Sequence, residues 1–273
     1  MEIKNLAQTE IATIVDCLSD AFQNYYVKMP SEVDFWAKRF HAARVDLKLS
    51  FGAFEKDRLV AFIIHGIDFH NGQKTAFNTG TGVLEAYRGL HLVDQMYAYA
   101  FPLLEENSVE KIMLEVIDEN HKAIKVYQHI GFQKDRFLKC FNGGLESIES
   151  NITLDEIDIL DLKDSIDDYQ QYYSWDNSLD AILIGGDMFK SFVVKSKLGI
   201  QLGYFVVNIQ NKAVIQVESF DNKNWSTVIG SIKKILASIR MNNVDSNRSD
   251  LIMALENLGL TNHINQYEMT LSL

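Results

Sequence analysis

Cysteine, proline and basic residues are scarce in this sequence, and long apolar runs are missing. There are 2 cysteines and 2 prolines in 273 residues. Cys17 and Cys140 fall in different predicted elements, so we expect reduced, partly buried thiols and no disulfide framework. No apolar run is long enough for a membrane span, and no charged-then-apolar leader precedes the first element. We therefore expect a cytoplasmic protein without a membrane partner.

The sequence has more acidic than basic residues. Lys and Arg number 26 against 37 Asp and Glu, for a net charge of −11. A nucleic-acid partner needs a surplus of basic residues on one face, so the composition argues against one and fits a cationic partner better. Residues 146–187 hold twelve acids and the single base Lys163. This stretch is either a solvated acidic surface or an acidic field that steers an amine.

The length suggests two domains of ordinary size. The segment Asn142-Gly143-Gly144 breaks the regular pattern. We predict a first domain over 1–141, a linker over 142–152 and a second domain over 153–273.

The first half alternates strand-like and helix-like segments. β-Branched and aromatic residues predict strands over 47–54, 59–68, 74–84 and 111–117. Apolar residues at helical spacing predict a helix from about Gly89, and a second helix over 120–130 ends at Gly131. This alternation predicts an α/β or α+β fold in which a mixed central sheet is flanked by helices.

The second half repeats this order more weakly. We predict a helix over 225–240, a further helix ending at Leu258, and strands over 181–184, 191–195, 201–209, 212–219 and 264–271. Aligning Gly131 with Gly259 places similar residues together on both sides of the glycine. We interpret the match as an internal duplication.

Two stretches of the first half carry the chemistry. In the first, Val83 to Val93, a predicted strand gives way to a helix through a turn that contains Gly89. A helix N-terminus presents unpaired N–H groups and the positive end of its dipole, which suit a pyrophosphate. One glycine between a strand and a helix also occurs in purely structural turns, so this stretch alone decides nothing.

In the second stretch, Glu115 is followed by Asn120 and Tyr127 at fixed spacing. Strand alternation places Glu115 on the face opposite Leu114 and Val116. Asn120 can bond the amides of a coenzyme or simply cap its helix. Tyr127 can be a proton donor or a core aromatic residue.

Taken together, these stretches resemble the GNAT superfamily of acyl-CoA N-acyltransferases. The family's turn reads Arg/Gln-x-x-Gly-x-Gly/Ala and is followed by an Asn…Tyr…Gly-Phe helix. The resemblance covers nearly all of residues 1–141, from Arg88-Gly89 to Gly131-Phe132. His91 and Val93 depart from it, because they stand where the family has small residues. We expect this departure to weaken or alter coenzyme binding without abolishing it.

The resemblance implies an N-acetyltransferase that moves the acetyl group of acetyl-CoA by direct attack to a primary amine, which a small molecule or a peptide would supply. Val83 would hold the pantetheine arm through its backbone, Asn120 would contact the coenzyme, and Tyr127 would protonate the thiolate. Glu115 would take the amine's proton through water, with Glu85 as a second candidate base. The pyrophosphate would bind to main-chain amides of Arg88, Gly89, Leu90, His91, Leu92 and Val93.

Two alternatives stay open: a non-catalytic module that binds or senses acyl-CoA, and a structural protein that has lost the coenzyme. The second half also resembles a GNAT domain, but one without the chemistry, since Asn222-Lys223-Asn224-Trp225 replaces Arg88-Gly89-Leu90-His91 and Leu255 replaces Tyr127. We expect no metal, because His65 and His70 lie on opposite faces of one predicted strand. The oligomeric state is open between monomer and homodimer.

Overall fold

A computed structural model describes residues 1–23, 26, 29–146 and 151–273 of the chain. Residues 147–150 of the predicted linker lie outside this set. Contacts divide the chain into two compact units. The first unit consists of Met1–Asp135 and Glu268–Leu273, and the second unit consists of Arg136–Tyr267.

Helices and strands alternate through both units. Up to Ile130 the elements are β1 (Glu2–Asn5), α1 (Ile11–Ala21), α2 (Val33–Ala42), β2 (Phe51–Glu55), β3 (Arg58–His70), β4 (Gln73–Val83), α3 (Leu92–Glu106), β5 (Lys111–Ile117) and α4 (His121–Ile130). The remaining elements are β6 (Gln133–Gly144), β7 (Ile152–Ile157), α5 (Lys163–Ile166), α6 (Leu179–Gly185), β8 (Lys190–Ser196), β9 (Gln201–Asn208), β10 (Ala213–Ser219), α7 (Trp225–Ser231), β11 (Ser238–Asp245), α8 (Ser249–Asn257) and β12 (Thr261–Ser272).

The first unit is built on a mixed sheet. Strands β1 to β4 pair antiparallel in sequence order, and β4 pairs parallel with β5. In the strand order of the sheet, the last residues of the chain lie next to β5, and Leu273 N donates to Glu110 O at 3.0 Å. Leu59 to Ile64 of β3 are all buried although successive side chains point to opposite faces. Both faces of the sheet are therefore covered, as predicted for a sheet flanked by helices.

The second unit also has a mixed sheet, in the order β7-β8-β9-β10-β11 followed by residues 136–144 of β6. Two separate apolar clusters use alternate residues of the same strands. Phe205 and Val207 of β9 belong to one cluster, and Tyr204 and Val206 belong to the other. Each face of this sheet therefore has its own core.

Two predicted elements of the second unit are wrong. Residues 181–184, predicted as a strand, lie in α6, because Ser178 Oγ accepts a hydrogen bond from Ala181 N and starts a helix there. The helix predicted over 225–240 ends its α-helical part at Ser231, and Ser238 begins β11. The apolar residues after Ser231 do not follow the helical period or the strand alternation for long enough to distinguish a helix from a strand.

The glycines chosen as the domain boundary belong to a strand. Strand β6 continues through Gly144, and Gly143 pairs with Ile239 of β11. A Cβ atom on Gly143 would stand 2.9 Å from the carbonyl oxygen of Gly259, closer than real side chains come. Glycine is needed here for a close approach of two backbones rather than for a break in structure.

Both cysteines are buried and neither is in a disulfide, as predicted. Burial raises the pKa of the Cys17 thiol to about 12, so it stays protonated and unreactive. In the described part of the chain, no helix is long and apolar enough to cross a membrane.

Candidate active site

The site of the first unit begins where β4 and β5 separate. The two strands pair in parallel from Thr75 opposite Lys111 to Asn78 opposite Leu114. Beyond this pair β4 runs on to Val83 and β5 to Ile117 without further pairing to each other. We call the point after Asn78 and Leu114 the apex. From the apex towards the carboxyl ends of the strands, the sheet has an open gap.

A β-bulge in β4 redirects the strand at the apex. In the register with β3, Gly80 stands opposite Ile64 and Asn78 opposite His65, so Thr79 is the extra residue. A bulge bends a strand and increases its twist. The bend turns β4 away from β5 and helps to open the gap.

The turn after β4 leads into α3 through two left-handed residues. Gly89 has φ +80° and His91 has φ +53°. Arg88 fixes the turn, since its Nε lies 3.3 Å from Val83 O and its Nη2 lies 3.0 Å from Ala21 O. His91 thus keeps a backbone conformation that glycine adopts most readily, and its side chain is 79% exposed. The departure from the family's small residue is accommodated by pointing the imidazole into solvent.

Helix α3 directs unpaired amides at the gap. Its first return bond runs from Gln95 N to His91 O at 3.1 Å, which leaves the N–H groups of Leu92, Val93 and Asp94 beyond the reach of a helix carbonyl. These groups carry the positive end of the helix dipole. Such an arrangement is suited to an anion with several oxygens.

A cavity of about 550 Å³ occupies the gap between β4, α3 and α4. Lys122 contributes a positive charge to its wall. Among the predicted site residues, those that line the cavity are Val83, Arg88, Gly89, His91, Leu92, Val93, Asn120 and Tyr127. Leu90, Glu115 and the second candidate base Glu85 are not among its lining residues.

One acidic residue also lines this cavity. Asp94 lies in the first turn of α3, where its oxygens are 3.6 Å from His91 Nδ1 and 3.6 Å from His129 Nε2. A lone carboxylate beside an anion site would repel the anion. Two neighbouring imidazoles reduce this repulsion whenever they carry a proton.

Asn120 and Tyr127 stand on one side of the cavity. Asn120 Oδ1 accepts a hydrogen bond from Ala123 N at 3.2 Å and caps α4. The cap uses the oxygen only, so the structure agrees with the helix-cap interpretation while the Nδ2 group can still donate. Tyr127 is half-buried, and its ring centroid lies 5.7 Å from that of Phe132.

Glu115 has a different position. It is the residue of β5 directly after the last pair with β4, so it stands at the apex and is half-buried. It is not among the residues that line the cavity with Tyr127. Its predicted role, which acts through an intervening water, does not require it to line the cavity.

Sequence reasoning missed two buried polar residues at the apex. Asn78 Nδ2 donates to Thr81 Oγ1 at 2.7 Å and to Tyr97 Oη at 2.8 Å, while Asn78 Oδ1 accepts from Gly80 N at 3.1 Å. Burial, with a smaller effect from nearby Tyr127, raises the pKa of Tyr97 well above its ordinary value. Tyr97 stands at an apolar position of the α3 stripe, so its periodicity indicated only core packing.

In the second unit, the place that corresponds to this cavity is occupied by hydrogen-bonded side chains of the protein itself. Arg248, directly before α8, donates to both carboxylate oxygens of Glu218 at 2.7 and 2.5 Å. Tyr173 Oη donates to the same carboxylate at 2.6 Å. Burial raises the pKa of Glu218, and its bonds with Arg248 and Tyr173 oppose that shift.

A mixed sheet whose parallel strands part above a helix N-terminus defines the class as the GNAT fold, and comparison with solved structures agrees. A putative acetyltransferase from Pyrococcus horikoshii has a TM-score of 0.69 and 14% identity, over 100% of this chain and 89% of that chain. A GCN5-related N-acetyltransferase from Sphaerobacter thermophilus has a TM-score of 0.71 and 9% identity, over 99% and 95%. A tandem GNAT protein from the clavulanic acid biosynthesis pathway has a TM-score of 0.67 and 11% identity, over 99% and 98%.

Residues 12–132 match the model of the acetyltransferase (GNAT) family. The chain therefore contains a GNAT acetyltransferase domain in its first half, and as a whole it has the fold of tandem GNAT proteins. At these low identities the likeness to solved structures shows the fold alone. A search of curated proteins finds no significant match.

Proposed function

We propose that the first unit is an N-acyltransferase that uses acetyl-CoA to acetylate a primary amine. The observation that carries the proposal is the cavity between β4, α3 and α4, whose lining combines the N-terminal residues of α3, with their unpaired amides, and Tyr127 of α4. An anion site and a phenol that line the same cavity suit a phosphate-bearing co-substrate with a reactive group at its tip. Membership of the GNAT family supports acyl transfer in general.

The residues present fit such a co-substrate. The amides of Leu92 and Val93 would bind the pyrophosphate, and the Lys122 ammonium would add a positive charge. A Cβ atom on Gly89 would meet no atom within 4 Å, so the turn has open space in front of it. Along the cavity wall, the backbone of Val83 would hold the pantetheine arm, and Asn120 Nδ2 would donate to it.

Acetyl-CoA supplies an acetyl group on a thioester, and in the reaction a C–N bond forms while the C–S bond breaks. The amine must lose a proton and the thiolate must gain one. Tyr127 is the proposed donor, since it lines the cavity. Glu115 at the apex is the proposed acceptor, acting through water. Glu85 is exposed in the turn and is a weaker candidate.

A second candidate function is acyl-CoA binding without turnover. One observation favours it: Glu115, the proposed base, is not among the residues that line the cavity. Turnover separates the two functions, because both require acetyl-CoA to bind.

The test is thermal unfolding of the full chain with and without acetyl-CoA, followed by acetylation of a panel of primary amines. A ligand at 100 times its dissociation constant adds about 2.7 kcal/mol to the unfolding free energy. A shift with turnover supports the enzyme, and a shift without turnover supports the binding module. An unchanged melting temperature at saturating acetyl-CoA would refute both.

A further inference from the structure

A pair of buried polar residues lies behind the cavity wall at the end that is farthest along β4 from the turn containing Gly89; we call this the inner end and the turn the phosphate turn. Among the lining residues, Thr81 is the residue of β4 farthest along the strand from this turn, and Tyr127 is the last one on α4. Behind Thr81 lies Asn78, which is only 6% exposed and bonds Thr81 Oγ1 at 2.7 Å. Behind Asn78 lies the fully buried Tyr97, whose oxygen is 2.8 Å from Asn78 Nδ2. The end wall is therefore two side chains deep on the β4 side.

The same wall continues on the α4 side. The Tyr97 ring centroid lies 5.4 Å from that of Phe132, which in turn lies 5.7 Å from that of Tyr127. Phe132 is fully buried. Aromatic rings at these separations are in packing contact. The three rings therefore form one packed row from Tyr97 to the lining residue Tyr127.

We infer that the Asn78–Tyr97 pair is the specificity-determining element of the acyl site and restricts the acyl group to a short one. This inference rests on the proposed function, because it assumes that the thioester lies at the inner end. The stretch of β4 from Asn78 to Val83 spans about 17 Å at about 3.3 Å per residue. A pantetheine arm laid along it from the phosphate turn brings the acyl group against the Asn78–Tyr97 wall. A longer acyl chain would have to displace hydrogen-bonded and packed side chains.

The pair resists displacement because both residues are buried and are hydrogen-bonded to each other. Asn78 makes three hydrogen bonds, which also hold the bulge at Thr79 in shape. Moving Tyr97 would leave one N–H group of the buried Asn78 amide without its hydrogen bond and would disturb the ring packing of Phe132. An acetyl group needs no such movement.

The experiment is titration calorimetry of the full chain with free CoA, acetyl-CoA and hexanoyl-CoA, which requires no acceptor amine. We expect the parent protein to bind acetyl-CoA at least tenfold more tightly than hexanoyl-CoA. Tyr97→Leu removes the outer part of the ring and leaves the bond from Asn78 to Thr81, so this ratio should fall at least fivefold. The affinity for free CoA should stay within twofold. Tyr99→Leu is the matched control, because Tyr99 is on the same helix but 43% exposed, and should keep the parent ratio.

The outcomes separate the inference from the function it rests on. Absence of binding by both CoA and acetyl-CoA would overturn the proposed function. Binding of CoA together with equal affinities for acetyl-CoA and hexanoyl-CoA in the parent would overturn the inference alone. If Tyr97→Leu fails to fold, Asn78→Ala gives the decision, because it empties the space directly behind Thr81. An unchanged ratio in a folded Asn78→Ala variant, shown by its retained affinity for CoA, would also overturn it.

Discussion

The two units differ most clearly at one equivalent position, the residue directly before the helix that follows the fifth strand of each half-chain. Asn120 stands there in the first unit and Arg248 in the second, each eleven residues before the glycine that ends the helix. Asn120 caps its helix with a short side chain and borders a cavity. Arg248 instead extends to Glu218 on β10 and forms a buried ion pair.

This difference explains how one architecture can be open in one copy and filled in another. In the first unit, Val83 and Asn120 both line the cavity. In the second, the bidentate contact from Arg248 joins the end of β10 to the start of α8, and Tyr173 closes it further. A site can therefore be lost by filling it as well as by losing its catalytic residues.

The largest expected effect tests this ion pair. Arg248→Met leaves the Glu218 carboxylate buried without its cation, and the unfolding free energy should fall by about 3–5 kcal/mol. The equivalent change Asn120→Ala removes only a helix cap and should cost about 1 kcal/mol. Urea denaturation of both variants measures the difference. Combining Arg248→Met with Glu218→Leu should restore most of the loss, and equal losses for Arg248→Met and Asn120→Ala would refute the contrast.

A fall in pH should destabilise the first unit through His65, which is buried in its uncharged form. His65 is fully buried with Nδ1 2.7 Å from Leu49 O, and burial lowers its pKa from 6.5 to about 4. Between these values the unfolded chain binds the proton and the folded chain does not. The unfolding free energy should therefore fall by about 3 kcal/mol as the pH drops from about 6.5 to about 4. Urea denaturation at pH 7, 5.5 and 4 checks this, and a His65→Gln variant with an unchanged pH slope would contradict it.

The proposed acid Tyr127 has no counterpart in the second unit, where Leu255 takes its place. Tyr127→Phe keeps the ring packing against Phe132 but removes the proton, so kcat should fall more than tenfold with acetyl-CoA affinity nearly unchanged. Steady-state kinetics together with calorimetry separates the two quantities. Tyr99→Phe serves as the control, because Tyr99 is on the exposed surface of α3. If Tyr127→Phe turns over like the parent, Tyr127 has no part in the mechanism.

The turn after β4 can be compared directly with the turn after β10. Gly89→Val should crowd the pyrophosphate and weaken acetyl-CoA binding by about tenfold or more, since the residue has φ +80° and faces open space. Lys223→Val, at the position we align with Gly89, should leave binding unchanged, and one coenzyme should bind per chain. Calorimetry gives both affinity and stoichiometry. Equal losses in the two variants would mean that the units do not differ in this function.

The smallest effect concerns His91. His91→Gly relieves a left-handed backbone but adds freedom to the unfolded chain, so stability should rise by about 0.5 kcal/mol. The aligned residue Trp225 is right-handed with φ −49°, and it is buried. Trp225→Gly should therefore destabilise the protein. Thermal unfolding compares the two, and a His91→Gly variant less stable than the parent would show that the imidazole makes a stabilising contact.

The sequence by itself determined most of the first unit. Strands β3 and β4 and the helix that begins after His91 follow from local patterns, and the tight turn between β2 and β3 falls between the strands predicted over 47–54 and 59–68. The grouping of Val83, Gly89, Asn120 and Tyr127 around one cavity follows from their spacing and the family resemblance. These features depend on contacts within a few residues or on a regular alternation of elements.

Only the tertiary structure decided the rest, because it depends on residues far apart in the chain. The last residues of the chain complete the sheet of the first unit, and part of β6 completes that of the second. A strand edge can be completed by any segment with a matching pattern, so local sequence does not choose the partner. The Asn78–Tyr97 bond and the Arg248–Glu218 pair likewise join separate elements. Neither leaves a periodic signal, since each is a single contact whose partner is fixed by packing.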